Sequence, residues 1–277
     1  KHLKKHNGDS VSVGIIGGHR GKATLREQDG NWSLGFEFDT FLPAPAESNE
    51  ITLVLSLPFP RRLKLLWPQI SSMGVTRICI VRGKLSDSDY CGSSVIQPEV
   101  YRPLVEEGMS QGCHTREVTV DISVKDVLSR VVLERLGLAN SSSAVTTGVA
   151  CRTKEWSETK VFLDCTVEDF APLPVRDVIL KSVSESTSLS TAQRSKSRVI
   201  MAIGSERGWT EDEAKLFREV GFEAASLGKS ILRVDTAVIA GLAVVSCTLD
   251  ELQAKRKFEE GSSNGQKRKY EEKSVSS

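Results

Sequence analysis

The chain has 277 residues, 39% hydrophobic and 26% charged, with a formal net charge of +1. That is enough chain for one large domain or two smaller ones with a real core, and too little net charge to hold nucleic acid by a global field, so an RNA partner would have to be met by local basic patches. Six cysteines (Cys79, Cys91, Cys113, Cys151, Cys165, Cys247) form no C-x-x-C pair, which suits free thiols in a reducing compartment rather than a disulfide framework or a zinc site.

Residues 10–38 alternate in the manner of short strands. Val11, Val13 and Ile15 face one way, and Trp32, Leu34, Phe36 and Phe38 repeat the pattern. The glycines of Gly14 to Gly21 suggest a phosphate loop, but such a loop needs a helix after it, and here a strand follows, so a hairpin turn is expected. His2 and His6 have helical spacing but no third ligand, and no metal site is expected. Residues 39–50, rich in Pro, Ala, Ser and Glu, make a linker.

Beyond it, strands alternate with helices, the pattern of a parallel α/β sheet. Ile51 to Leu57 predicts a buried strand. Arg61 to Met73 has helical periodicity, with Pro68 expected to kink or split it. Strands are expected at 77–81, 117–120 and 161–163, and helices at 98–110, 123–136 and 175–183. Two polar stretches, 139–159 and 185–198, read as surface insertions. From Leu249 on, apolar residues almost vanish. A disordered charged tail is expected over 249–277, and Lys255-Arg256 followed by Lys267-Arg268-Lys269 has the spacing of a bipartite nuclear-import signal. No secretory leader or membrane-spanning run is expected.

The most informative stretch is 199–248. Val199 to Ile203 predicts a buried strand and Gly204 to Gly208 a turn. Thr210 and Glu213 form a capping box, and Gly221 ends the helix they start. Phe222 to Ser226 is a second strand and Leu227-Gly228 a second sharp loop. A final helix, apolar on every side from Asp235 to Cys247, is expected to be buried against its own sheet or another subunit. Two glycine loops at the C-terminal ends of strands mark the edge where open α/β sheets bind ligands. A dinucleotide-binding Rossmann enzyme is disfavoured, because no G-x-G-x-x-G follows a first strand.

The residues I-G-S-E-R-G-W-T-E-D-E at 203–213 and L-G-K-S-I-L-R-V-D-T-A at 227–237 resemble the C-terminal signature of the RsmE family, roughly I-G-P-E-G-G and L-G-x-x-I-L-R-x-E-T-A. That family consists of SPOUT-class enzymes that use S-adenosylmethionine to methylate N3 of a uridine in small-subunit ribosomal RNA. The resemblance implies an α/β fold whose parallel sheet ends in a trefoil knot (51–248), preceded by a partial PUA-like β-barrel domain (1–38) whose front strands lie outside this sequence. It further implies a homodimer. Carried over, Ile203, Gly204, Glu206 and Gly208 line one wall of the cofactor site, Leu227, Gly228, Ile231 and Leu232 another, and Leu163 and Asp164 stand at a third loop.

Arg233 is the candidate catalytic residue. Methylation at N3 removes a proton and builds negative charge on O2 and O4 of the base, which a permanently charged, planar guanidinium can hold. It cannot be the general base, which stays unassigned. The other reading of Arg233 is an ion pair with Asp235 or Glu206. Arg61, Arg62, His114, Arg116 and Arg233 are the candidate RNA contacts. The chain departs from the family pattern at Ser205, in place of Pro, and at Arg207, in place of Gly. If position 207 needs a positive φ, an arginine there is strained. The rival reading is therefore a non-catalytic RNA-binding or ribosome-assembly factor on the same fold. A soluble, intracellular location is expected, with nucleolus, mitochondrion, plastid and cytoplasm all open.

Overall fold

The structure is a computed structural model that describes residues 6–36, 49–140, 156–164, 172–185 and 196–274. The linker at 39–50 and both polar insertions therefore lie wholly or mostly outside the described residues.

Three antiparallel strands open the chain: β1 (Ser10–Gly14), β2 (Arg20–Gln28) and β3 (Asn31–Phe36). The glycine-rich segment between β1 and β2 is a hairpin turn, closed by the Ile15 N–H donating to the His19 carbonyl at 2.9 Å. Alternation puts Val11, Val13, Ala23, Leu25, Trp32, Leu34 and Phe36 on one face. Trp32, Leu34 and Phe36 are exposed.

The rest forms a seven-stranded sheet in the order β6-β5-β4-β9-β7-β10-β8, with every neighbouring pair parallel. The strands are β4 (Glu50–Ser56), β5 (Arg77–Arg82), β6 (Thr119–Val127), β7 (Trp156–Leu163), β8 (Leu173–Pro174), β9 (Lys196–Ile203) and β10 (Glu223–Ser226). Between and after them come α1 (Pro60–Ser72), α2 (Pro98–Gln111), α3 (Arg130–Arg135), α4 (Val175–Glu185), α5 (Glu211–Glu219) and α6 (Val234–Ser274). Both faces are covered, as a parallel sheet requires. Leu53, Leu55, Ile78, Ile80, Met201 and Ile203 meet α1, α2, α4 and α6 on one side. Val54, Cys79, Val81, Phe162, Ile200 and Ala202 meet α3 and α5 on the other. Burial there pushes the Cys79 thiol up to about 12, which makes it an inert core residue. Cys79, Cys91, Cys113 and Cys247 are free thiols.

Five expectations are corrected. The helix expected over 123–136 is mostly strand: β6 runs to Val127 and α3 covers only Arg130–Arg135. In T-V-D-I-S-V-K-D-V, β-branched residues alternate with polar ones, and this two-residue period outweighs the helical spacing of the same valines. β7 begins at Trp156, inside the expected insertion. α1 passes through Pro68 unbroken. The helical bond lost is to the carbonyl of Lys64, an exposed residue that water can serve. α6 continues to Ser274, past the point where composition suggests disorder. Its Glu, Lys, Arg and Gln are good helix formers, and Lys255 pairs with Glu251 one turn back at 2.7 Å. Nor is α6 buried all round: Val234, Val238, Leu242, Val245 and Leu249 enter the core, while Thr236 and Cys247 are exposed.

Candidate functional site

Strand register assembles the site. β9, β7 and β10 lie side by side and parallel, with Phe162 opposite Ala202 and Ala225 opposite Leu163. Their C-terminal ends therefore open three adjacent loops on one edge of the sheet, starting at Gly204, Asp164 and Leu227. All ten residues implied as cofactor contacts stand at these three loops. The Asp164 N–H donates to the Ala225 carbonyl at 3.2 Å, tying the second loop to the third.

The first loop is a tight turn. The Gly208 N–H donates to the Ser205 carbonyl at 2.9 Å, and the two residues form a bridge. A β-carbon on Gly204 would lie 2.6 Å from the Gly208 backbone, so only glycine fits there. The left-handed conformation falls on Gly208 (φ +71°), and Arg207 is not among the positive-φ residues. The strain expected at Arg207 is therefore absent.

The turn is anchored through Glu213, which is 4% exposed. Its carboxylate completes the capping box, accepting from the Thr210 N–H at 2.8 Å, while the Thr210 hydroxyl accepts from the Glu213 N–H at 3.3 Å. The other oxygen accepts from the Lys84 N–H at 2.7 Å, which pins the loop after β5 to the start of α5. This second bond joins residues far apart in sequence and has no local signal. Replacing Glu213 with alanine is expected to lower stability by about 2–3 kcal/mol, from a lost cap and an orphaned amide. Urea denaturation measures it.

Beside these loops, Phe59, Arg61, Arg62, Leu65, Leu66, Gln69, Arg233 and Asp235 line a cleft of about 340 Å³. Arg233 donates to both oxygens of Asp235, at 3.2 and 3.1 Å. Asp235 also faces Arg62 at 3.5 Å, and Arg62 faces Glu206 at 3.6 Å. Glu206 in turn accepts from the Phe59 N–H at 3.1 Å. Charges from the start of α1, the loop after β9 and the start of α6 thus form one chain, Arg233–Asp235–Arg62–Glu206. Arg233 pairs with Asp235, as the ion-pair reading expects, and at 66% side-chain exposure it still opens to the cleft. The participation of the Phe59 N–H was invisible in the sequence, because it depends on a backbone group.

His114 and Arg116 are not brought to this place. They precede β6 at the opposite, N-terminal edge of the sheet, where with Gly17, Gly18 and Arg20 they border a second cleft of about 480 Å³. The His114 ring sits 3.0 Å from the Ser72 carbonyl, and Arg116 pairs with Glu50. Among the described residues no group of three or more His, Cys, Asp or Glu could hold a metal ion.

A family model described as RNA methyltransferase domain matches residues 166–246. Over 253 residues the chain is 28% identical to the ribosomal RNA small subunit methyltransferase E of Treponema pallidum (strain Nichols), covering 88% of this chain and 79% of the relative. The protein of the same name from Synechocystis sp. is 42% identical over 53 residues, 19% of this chain and 18% of the relative. The crystal structure of a ribosomal RNA small subunit methyltransferase E from Neisseria gonorrhoeae, bound to S-adenosyl methionine, shares the fold with a TM-score of 0.57 at 17% identity, covering 88% of this chain and 85% of that one. The matched family model ends inside α6 and takes in the loops at Gly204 and Leu227, where the signature residues stand. Shared fold, aligned sequence and placed signature agree: the chain is similar over most of its length to ribosomal RNA small subunit methyltransferase E proteins, and residues 166–246 match an RNA methyltransferase domain.

Proposed function

We propose that this chain transfers a methyl group from S-adenosylmethionine to N3 of a uridine in small-subunit ribosomal RNA. The observation that carries the reading is the convergence of the loops after β9, β7 and β10 on one edge of the sheet, with the Arg233–Asp235–Arg62–Glu206 chain beside them.

The residues at the loops suit an adenosine-sized ligand. Leu163, Leu227 and Leu232 are half-buried and Ile231 is 85% exposed, so apolar walls are available. At Gly208 and Gly228 no atom lies within 4 Å of where a β-carbon would stand, so a ligand can reach the backbone. The buried hydroxyl of Ser205 has no partner among the described residues. S-adenosylmethionine, when bound, supplies a methyl group on a positively charged sulfur. Ile203, Gly204, Glu206, Gly208, Leu227, Gly228, Ile231, Leu232, Leu163 and Asp164 hold and orient it. Arg233 stabilises the charge that gathers on O2 and O4 of the uracil as the N3 proton leaves. Asp235, held between two guanidiniums, positions Arg233. Arg61 and Arg62 on the same cleft meet the RNA backbone. The substrate is a single-stranded or looped segment, since N3 is engaged in pairing within a duplex.

Three features support the finer architecture. The apolar face of β1–β3 suits part of a PUA-like barrel. The three adjacent loops suit a SPOUT-type trefoil knot. The outer face of α6 carries half-exposed Ala240 and Ala243, flanked by the partly buried Ile239 and Val244, which suits a homodimer. The rival RNA-binding reading drew on Ser205 and Arg207, and neither distorts the turn.

Two measurements test the reading. Isothermal titration of S-adenosylmethionine is expected to give micromolar binding, alike in the wild type and an Arg207→Gly variant. Small-subunit RNA treated with protein and cofactor is expected to stop reverse transcriptase at a single uridine, because N3-methyluridine cannot pair. Binding restored only by Arg207→Gly would favour the non-catalytic reading, and methylation without a stop would move the target atom off N3.

A further inference from the structure

Among the buried side-chain polar atoms of the described residues, Ser157 Oγ, Ser205 Oγ and Trp209 Nε1 have no hydrogen-bond partner. A buried polar group left unpaired costs stability, so each calls for an explanation. Ser157 lies within β7, away from the loops. The Trp209 ring packs edge-on against Phe217 at 4.8 Å, on the α5 side of the sheet.

Ser205 is different in place and in chemistry. It is 8% exposed and sits second in the turn that follows β9. In β9, Val199, Met201 and Ile203 face the α6 side and Ile200 and Ala202 the other. Continuing that alternation through Gly204 carries Ser205 to the face of Met201 and Ile203. That face meets the third loop: a β-carbon on Gly241 of α6 would touch both Met201 and Leu227. The hydroxyl is buried in the turn that opens the first loop, with one donor and two lone pairs unused among the described residues. In the family pattern quoted above this position is proline, whose ring offers neither.

We propose that Ser205 is a cofactor-contacting residue, its hydroxyl hydrogen-bonding a polar group of bound S-adenosylmethionine. The inference rests on the methyltransferase reading. It gives a partner to a buried hydroxyl that has none among the described residues. The hydroxyl destabilises the free protein and is satisfied in the complex, so it converts part of the folding free energy into ligand affinity.

Stability and affinity should accordingly move in opposite directions. Ser205→Ala is expected to weaken S-adenosylmethionine binding about tenfold by isothermal titration, while the melting temperature of the cofactor-free protein stays level or rises. Unchanged affinity in the variant would overturn the proposal. So would a lower melting temperature of the cofactor-free variant, since that would mean the hydroxyl already has a structural partner. Absence of binding by the wild type would instead remove the methyltransferase reading on which the proposal stands.

Discussion

Arg233→Ala is expected to lower the methyl-transfer rate about 10²- to 10³-fold, the usual cost of removing one aimed electrostatic donor from an active site. Affinity for S-adenosylmethionine should change little, because the guanidinium points to the cleft of Phe59, Arg61, Arg62 and Asp235. Arg233→Lys should recover only part of the loss. A lysine keeps the charge but cannot make the paired contact with Asp235 that now fixes the side chain at 3.1 and 3.2 Å. Single-turnover rates with saturating cofactor, read beside the titration, separate the two effects. A variant that transfers methyl groups at the wild-type rate would remove Arg233 from the chemistry. A variant that lost cofactor affinity instead would make it a structural support of the third loop.

The largest effect on stability is expected at Gly108. It lies in α2 where that helix crosses α1, and a β-carbon there would fall on the Pro68 carbonyl and the Ser71 hydroxyl. At an exposed helical site, glycine to alanine stabilises by about 0.5–1 kcal/mol. Here the sign should reverse, with Gly108→Ala costing about 3 kcal/mol because a backbone must move rather than a side chain. For a chain of this size that is a fall of roughly 6–12 °C in melting temperature. α1 also carries Arg62, so the same shift should disturb the pairing of Arg62 with Glu206 and Asp235. A variant that melts with the wild type would show that the two helices can separate at no cost.

The legible parts of the sequence were the local ones. Thr210 and Glu213 are three residues apart, and their reciprocal bonds formed where the pattern placed them. Gly221 adopts φ +88° just past the helix that the box begins. Three loops at the ends of strands could be inferred from short apolar runs followed by glycine or aspartate. What failed, or stayed hidden, depended on partners far away in sequence. The valines of β6 fit two periods, and pairing with β5 reinforces the two-residue one. Glu213 reaches Lys84 across 129 residues. The charge chain needs Arg62, Glu206 and Asp235 together, and no spacing rule links those positions. The relation of His114 and Arg116 to the other basic candidates was equally out of reach, since it depends on which end of a strand a loop leaves.

The strand order also sets a timetable for making the molecule. β4 lies inside the sheet, and one of its two neighbours is the central strand β9, with Glu50 and Arg198 paired across 148 residues. A ribosome adding about 5–20 residues per second delivers β9 roughly 7–30 s after β4. During that interval β4 and β5 can pair, but the other edge of β4, a run of Ile, Leu and Val, stands open as a template for strangers. The nascent chain is thus a client for chaperones until its last third emerges, and a message cut short before β9 yields an aggregating fragment rather than a smaller folded domain.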